Sequence, residues 1–267
     1  MIVIDFIFYM TIEKVKKQNP IILCLTNNVV MNFTANVLLA SGFSPIMSLD
    51  SSDIEDLSKI CNGILINIGT INQEFIKLCE IAIKCGIERD IPIVFDPVGS
   101  GVSKIRTNFS RKILNIEYEN LIIKGNASEI LSLYSNESGK GVDSAHKSDS
   151  IIDATREISN KYNKIICITG ENDCVIGQNK VIKISNGSEK MTRVTGMGCA
   201  LGAIIAGFTS SDLSINSISN AVSYFGIAGE IADEKSNGIG DFQIKFLDAL
   251  SNIDDKIFEQ KSKIYEI

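Results

Sequence analysis

The sequence holds a single histidine, His146, and only four prolines. It has no apolar run approaching the ~18 residues a membrane helix needs. The scarcity of histidine removes the usual base for a thiol nucleophile, because His146 sits in the polar segment SAHKSDS and reads as a solvent-exposed loop residue. No CxxC pair is present, so a zinc site of that type is excluded. The seven cysteines are odd in number, and most lie inside apolar runs, such as Cys24 in IILCL and Cys167 in KIICIT. There they behave as small hydrophobes, and the expectation is a reduced, cytoplasmic protein. An excess of basic charge is also missing: 32 acidic residues against 26 basic ones give a net charge of −6. That balance excludes general nucleic-acid binding but leaves room for a local basic spot that holds a small phosphate.

The opening MIVIDFIFYM is apolar, yet Asp5 interrupts it, and neither a basic n-region nor a cleavage site accompanies it. It fails both as a signal peptide and as a membrane span. Residues 1–10 read as an extension, either an upstream-start artefact or a frayed end, and residues 11–267 as one domain. No linker, low-complexity tract or internal repeat divides that stretch. Hydrophobic residues at 45% and charged residues at 22% suit a globular protein with a sizeable core.

Short β-branched runs alternate with helical patterns along the chain. Strands are expected at Ile21–Leu25, Ser44–Ser48, Gly63–Ile68, Pro92–Asp96, Asn120–Lys124, Lys164–Thr169 and Cys174–Gln178. Helices are expected at Val29–Ala40, Asn72–Cys85, Ala127–Leu133, Asp149–Asn160, Ala200–Phe208, Ile215–Asp233 and Phe242–Ser251. Several strands are continuously apolar, as in a parallel sheet covered on both faces, so the fold class is a doubly wound α/β layer structure. In such sheets ligands bind beyond the carboxyl ends of the strands. Five strand ends are polar or glycine-rich: Thr26 to Asn28, Asn67 to Thr70, Asp96 to Gly101, Lys124 to Glu129 and Thr169 to Glu171.

The sharpest motif is VTGMGCALG, from Val194 to Gly202. Gly196 and Gly198 free the backbone to aim N–H groups at one point, and a small-residue helix follows, the makeup of an anion hole. A plain glycine turn packing a helix on the sheet is the competing reading. No GxxxxGK[ST] loop occurs, and GxGxxG fails at Leu201. Cys199 stands where a helix dipole favours a thiolate, although without a nearby histidine a covalent role is disfavoured. Asp96 and Glu129 follow neighbouring strands, and two such carboxylates suit Mg²⁺ with water and phosphate oxygens. Strand-end carboxylates of this kind are expected to have few structural partners. Glu129 also has capping-box spacing from Asn126. Lys124 suits a phosphate, its alternative being a surface lysine. Met47 offers a soft apolar contact, its alternative being core.

Anion hole, acidic pair and absent P-loop together point to a phosphotransferase with a three-layer ribokinase-like fold. LTNNVVMNFTAN, SPIMS, NIGT, DPVGSG, RTNFSRKIL, KGNASEI, KGVDS, TGENDCV, NGSEKM, VTGMGCALGA and FGIAGE follow in order from about residue 20 to 250. Together they resemble the hydroxyethylthiazole kinases of thiamine biosynthesis and salvage over nearly the whole chain. NASE with TGxGC separates that family from sugar kinases, many of which carry Asp at the place of Cys199. Departures are Leu23 where the family often has His, Met197 where it often has Thr, and GIGDF (Gly238 to Phe242) for GPGSF. The resemblance implies ATP-dependent phosphorylation of the primary alcohol of 4-methyl-5-(2-hydroxyethyl)thiazole by a homotrimer with sites between subunits. It implies that Asn27, Met47 and Gly196 contact the thiazole, Lys124 and Thr169 contact ATP, Asp96 and Glu129 organise Mg²⁺, and Gly196 and Gly198 build the anion hole around Cys199. Two alternatives stand beside it: a same-fold kinase of another small alcohol such as a hydroxymethylpyrimidine, and a non-catalytic protein that retains the pocket. The base that deprotonates the alcohol is left open between Asp96 and a phosphate oxygen.

Overall fold

The computed structural model describes residues 11–134, 148–177 and 179–267. The N-terminal extension, the KGVDS motif, His146 and the expected strand end at Gln178 lie outside the described residues.

Strands β1 (Ile21–Leu25), β2 (Ser44–Ile46), β3 (Gly63–Asn67), β4 (Ile93–Asp96), β5 (Leu121–Asn126), β6 (Ile165–Thr169), β7 (Asp173–Gly177), β8 (Lys180–Ile184) and β9 (Ile264–Glu266) form one sheet. Its order is β2-β1-β3-β4-β5-β6-β7-β8-β9. The pairings from β2 to β6 are parallel, and those from β6 to β9 are antiparallel. The parallel region is the part expected from the sequence. The last two strands were not expected; β8 and β9 pair at the sheet's far edge and carry Lys180, Lys183 and Glu266 among their apolar residues.

Successive side chains of a strand point to opposite faces, and the core divides accordingly. Ile22, Cys24, Leu65, Val94, Ile122 and Cys167 face one layer, while Leu23, Leu25, Ile64, Ile66, Phe95 and Ile123 face the other. Both sets are buried, which is why the strands read as unbroken apolar runs. The first layer contains α1 (Ile12–Gln18), α2 (Met31–Ala40), α8 (Met197–Thr209), α9 (Ile215–Lys235), α10 (Ile239–Asn252) and α11 (Asp255–Lys261). The second contains α3 (Ser51–Ser58), α4 (Gln73–Glu88), α5 (Lys104–Leu114), α6 (Ala127–Tyr134) and α7 (Ser148–Tyr162). No helix among the described residues is long and apolar enough to cross a membrane.

Three helix starts differ from expectation by two or three residues. Helix α2 starts at Met31 rather than Val29, because Val29 donates to Asn27 Oδ1 and Val30 donates to the Asn27 carbonyl, closing a turn first. Helix α10 starts at Ile239, before Phe242, and Asp241 caps its entry by accepting from the Asn237 N–H at 2.9 Å. Helix α8 starts at Met197, so Gly198 and Cys199 belong to its first turn. Helices α1, α3, α5 and α11 were not expected; the first, second and last are only seven or eight residues long, and in α3 Ile54 is buried among SSDIEDLS.

Candidate active site

The carboxyl ends of β1, β3, β4, β5 and β6 come together beside the start of α8. The register pairs Asn67 with Asp96 and Asn126 with Thr169, so residues far apart in the chain become neighbours across the sheet. At this edge a closed circuit of polar groups has its side chains buried except at Cys199. Asn27 Nδ2 donates to Asn67 Oδ1 at 2.9 Å and approaches Cys199 Sγ at 3.7 Å. Asn67 Nδ2 donates to Asp96 Oδ2 at 2.7 Å. Lys124 Nζ donates to the same Asp96 oxygen at 3.2 Å and to the Gly198 carbonyl at 2.8 Å, which returns the circuit to α8. Lys124 is therefore not a surface lysine: it is 4% exposed, and Asp96 is 1% exposed.

Burial sets the electrostatics. It pushes the Asp96 carboxyl up to about 6, against the pull of the Lys124 ammonium. Burial would lower Lys124, but the Asp96 carboxylate, with help from Cys199, holds it above its ordinary value. Burial and the Asp96 charge also push the Cys199 thiol up. This runs against the expectation of a thiolate favoured by the helix dipole: desolvation and the neighbouring carboxylate both favour the neutral thiol. The other Asp96 oxygen, Oδ1, is buried with no hydrogen-bond partner among the described residues.

The start of α8 has the form of an anion site. Gly196 adopts φ +93°, and a Cβ there would lie 2.9 Å from Val30 Cγ1, so both the turn and the packing require glycine. The first helical bond runs from the Ala200 N–H to the Gly196 carbonyl at 2.8 Å. The N–H groups of Met197, Gly198 and Cys199 precede it and lack intrahelical acceptors by helix geometry.

Glu129 has more structural work than a free strand-end carboxylate. Oε1 accepts from the Gly99 N–H and Oε2 from the Asn126 N–H, each at 2.9 Å, while Asn126 Oδ1 accepts from the Glu129 N–H. The capping box is real, and it also pins the DPVGSG loop. The expectation that these carboxylates have few partners is wrong for both of them. The flanking helices hold the same loop: Ser132 of α6 donates to the Glu129 carbonyl at 2.6 Å and accepts from Ser100 Oγ at 2.7 Å, and the Gly101 N–H donates to Thr107 Oγ1 of α5 at 2.8 Å.

Two residues of the site escaped sequence reasoning as individuals. Asn67 appeared only as part of a polar strand end. Arg106, at the head of RTNFSRKIL, donates to the Ile68 and Val98 carbonyls at 2.7 Å and to the Gly69 carbonyl at 2.8 Å. It ties the loops after β3 and β4 together. Thr169 lies half-buried at the end of β6, next to a turn in which Gly170 donates to Asp173 Oδ1. Met47 lies half-buried just beyond β2 and packs on the first-layer core; it is not joined to the polar circuit by any hydrogen bond.

A cleft of about 430 Å³ lined by Glu119, Asn120, Ser159, Lys164 and Leu213 lies at the opposite, N-terminal ends of β5 and β6. Among the described residues, an acidic group, a buried cation and free helix amides converge at the polar circuit and not at this cleft.

Residues 12–256 match the hydroxyethylthiazole kinase family. The chain is 40% identical over 262 residues to hydroxyethylthiazole kinase of Streptococcus agalactiae serotype III (strain NEM316), covering 94% of this chain and 100% of that protein. It is 41% identical over 265 residues to hydroxyethylthiazole kinase of Staphylococcus epidermidis (strain RP62A), covering 96% and 99%. A solved hydroxyethylthiazole kinase structure from Pyrococcus horikoshii OT3 superposes with a TM-score of 0.88 at 32% identity, over 96% of this chain and 97% of that one. A ribokinase-like superfamily protein from Enterococcus faecalis V583 superposes with a TM-score of 0.69 at 12% identity, over 92% and 89%, and speaks for the fold alone.

Proposed function

We infer the activity from one premise: the chain belongs to the hydroxyethylthiazole kinase family. It phosphorylates the primary alcohol of 4-methyl-5-(2-hydroxyethyl)thiazole at the expense of ATP. The observation that carries this reading to residues is the circuit Cys199–Asn27–Asn67–Asp96–Lys124, buried except at Cys199 and closed through the Gly198 carbonyl at the head of α8.

Phosphoryl transfer asks little covalent work of a protein and much positioning and charge stabilisation. In our reading Asn27, Met47 and Gly196 hold the thiazole alcohol, and Lys124 and Thr169 hold ATP. Lys124 spends two of its three donors on Asp96 and the Gly198 carbonyl, which leaves one for a phosphate oxygen. The amides of Gly198 and Cys199, at the positive end of α8, stabilise charge on the transferring group. The thiol of Cys199, pushed up by burial, is neither a strong base nor a thiolate nucleophile. The acceptors left for the alcohol's proton are Asp96 and the phosphate oxygens.

We propose Mg²⁺ as the metal. Asp96 fits it through Oδ1, a buried carboxylate oxygen with no partner, while Glu129, whose two oxygens each accept a backbone N–H, fits it through water. When bound, the metal neutralises charge on the phosphates. We also propose a homotrimer with the site near a subunit boundary. Supporting this, Val29 is 68% exposed and Leu49 is 58% exposed, each two residues from a proposed substrate contact, Asn27 and Met47. The seven cysteines are free thiols, six of them buried, which supports the cytoplasm as the compartment.

ATP consumption measured against a panel of vitamin precursors and sugars tests the reading. The thiazole alcohol should lead the panel, and excess chelator should stop the reaction. Preference for a hydroxymethylpyrimidine or a sugar would overturn the substrate, and full activity in chelator would overturn the metal. For the trimer, Met47→Asp should weaken substrate binding and assembly together in sedimentation; a fully active monomer would refute it.

A further inference from the structure

We propose that Asn67 is a positioning residue that fixes Asn27 and Asp96 relative to one another. In this way the side chain that contacts the acceptor alcohol and the carboxylate that faces the donor phosphates are held as one unit. The inference rests on the kinase reading above for the roles of its two neighbours, but its geometry stands alone.

Asn67 ends β3, between β1, which Asn27 follows by two residues, and β4, which ends in Asp96. It is fully buried, and its amide cannot turn over. Oδ1 accepts from the Gly69 N–H at 3.0 Å, and a main-chain N–H can only donate, so the oxygen must face that way. The same oxygen accepts from Asn27 Nδ2, and Nδ2 of Asn67 is left for Asp96 Oδ2. Rotation by 180° would set the NH₂ group against two donors and the oxygen against a carboxylate.

Asn27 is locked by the same device. Its Oδ1 accepts from the Val29 N–H at 3.1 Å, which commits Nδ2 to Asn67 and Cys199. Two main-chain N–H groups thus set the direction of two side-chain amides in series. Gly69 makes the close approach possible, since a Cβ there would lie 2.6 Å from Asn27 Nδ2. The result is a directed chain from Asp96 to Cys199 in which Asn67 bonds both Asp96 and Asn27. Buried amides of this kind order reacting groups without touching the reactants.

Two variants separate positioning from bulk stability. Asn67→Asp keeps the size and both acceptor contacts but replaces the amide donor with a second carboxylate facing Asp96, so the two share one proton and the fixed direction of the link is lost; kcat should fall roughly tenfold to a hundredfold. Its KM for the alcohol should stay within about twofold, because Asn27 keeps its acceptor. Asn67→Ala loses both links, so kcat should fall and KM for the alcohol should rise, while KM for ATP stays within about twofold. A merely structural role would lower the unfolding midpoint and leave both constants unchanged at a permissive temperature. Unchanged kcat in both folded variants overturns the proposal. If Asn67→Ala does not fold, Asn67→Asp carries the test. Wild-type turnover of the thiazole alcohol is the control, and its absence overturns the kinase reading alone. In that event crystal structures of the variants decide: Asn27 and Asp96 side chains that keep their placement refute the positioning role, and side chains that rotate away support it.

Discussion

Lys124 Nζ lies 3.2 Å from Asp96 Oδ2, and the two side chains are 5% and 1% exposed. A pair this deep is held in place because neither charge can be left alone. Removing one partner from a buried pair costs about 3–5 kcal/mol, whereas removing both costs far less. Lys124→Met should therefore lower unfolding stability by about that amount, and Lys124→Met with Asp96→Asn should recover most of it. Urea unfolding of the two proteins checks this. A double variant as unstable as the single would mean that the penalty does not come from an uncompensated carboxylate.

Glu129 should prove to be structural and functional at once. Its carboxylate accepts from Gly99 in the DPVGSG loop and from Asn126 at the start of α6. Glu129→Ala removes both, and loss of a helix cap alone costs about 0.5–2 kcal/mol. Turnover should fall further than stability because the loop beside Asp96 loosens. Glu129→Gln, which has one acceptor oxygen for two donors, should lie between Ala and wild type in thermal midpoint. Wild-type stability in Glu129→Ala would refute the two contacts.

The contrast between Glu129 and Asn67 marks what the sequence could and could not reveal. The Asn126–Glu129 capping box is local, three residues apart, and was legible as spacing. So were the parallel strands, whose apolar runs report burial on both faces. The Asn67–Asp96 contact depends on β3 lying next to β4 in a particular register, which no local pattern encodes. Lys124 read equally well as a surface residue because a single cation at a strand end carries no sign of its burial. Arg106 was hidden for a different reason: its three acceptors are main-chain carbonyls, which leave no trace in residue identity.

Asp173 gives a pH-dependent prediction away from the proposed metal ligands. Burial raises its carboxyl from 3.8 to about 6, although the Gly170 N–H and Lys124 pull it down. The folded protein then binds this proton more tightly than the unfolded chain does. The contribution to stability is full below about pH 4 and is lost as pH rises through about 6. Asp173→Asn keeps an acceptor for Gly170 and removes the charge. Its thermal midpoint relative to wild type should rise between pH 5 and pH 8. A difference that stays flat over that range would show that Asp173 titrates alike in both states.

Cys199 separates two mechanisms by opposite outcomes. Its thiol lies 3.7 Å from Asn27 Nδ2 and is pushed up by burial and by Asp96, so it is protonated near neutrality. A carboxylate at this place could accept the proton of the attacking hydroxyl. In Cys199→Asp the new carboxylate would have Asn27 as a donor and the Lys124 cation nearby to offset the charge of Asp96. An added base can contribute on the order of 10²-fold or more when its geometry is right, so turnover should be retained or raised. Cys199→Ala should leave measurable activity, because the proposed stabilisation of the transferring group by the α8 amides does not use the side chain. A covalent thiol would instead make both variants inactive. Stopped turnover in both, in protein that is folded and binds ATP, would restore the nucleophilic role and overturn the reading of this site as one that works by positioning and charge.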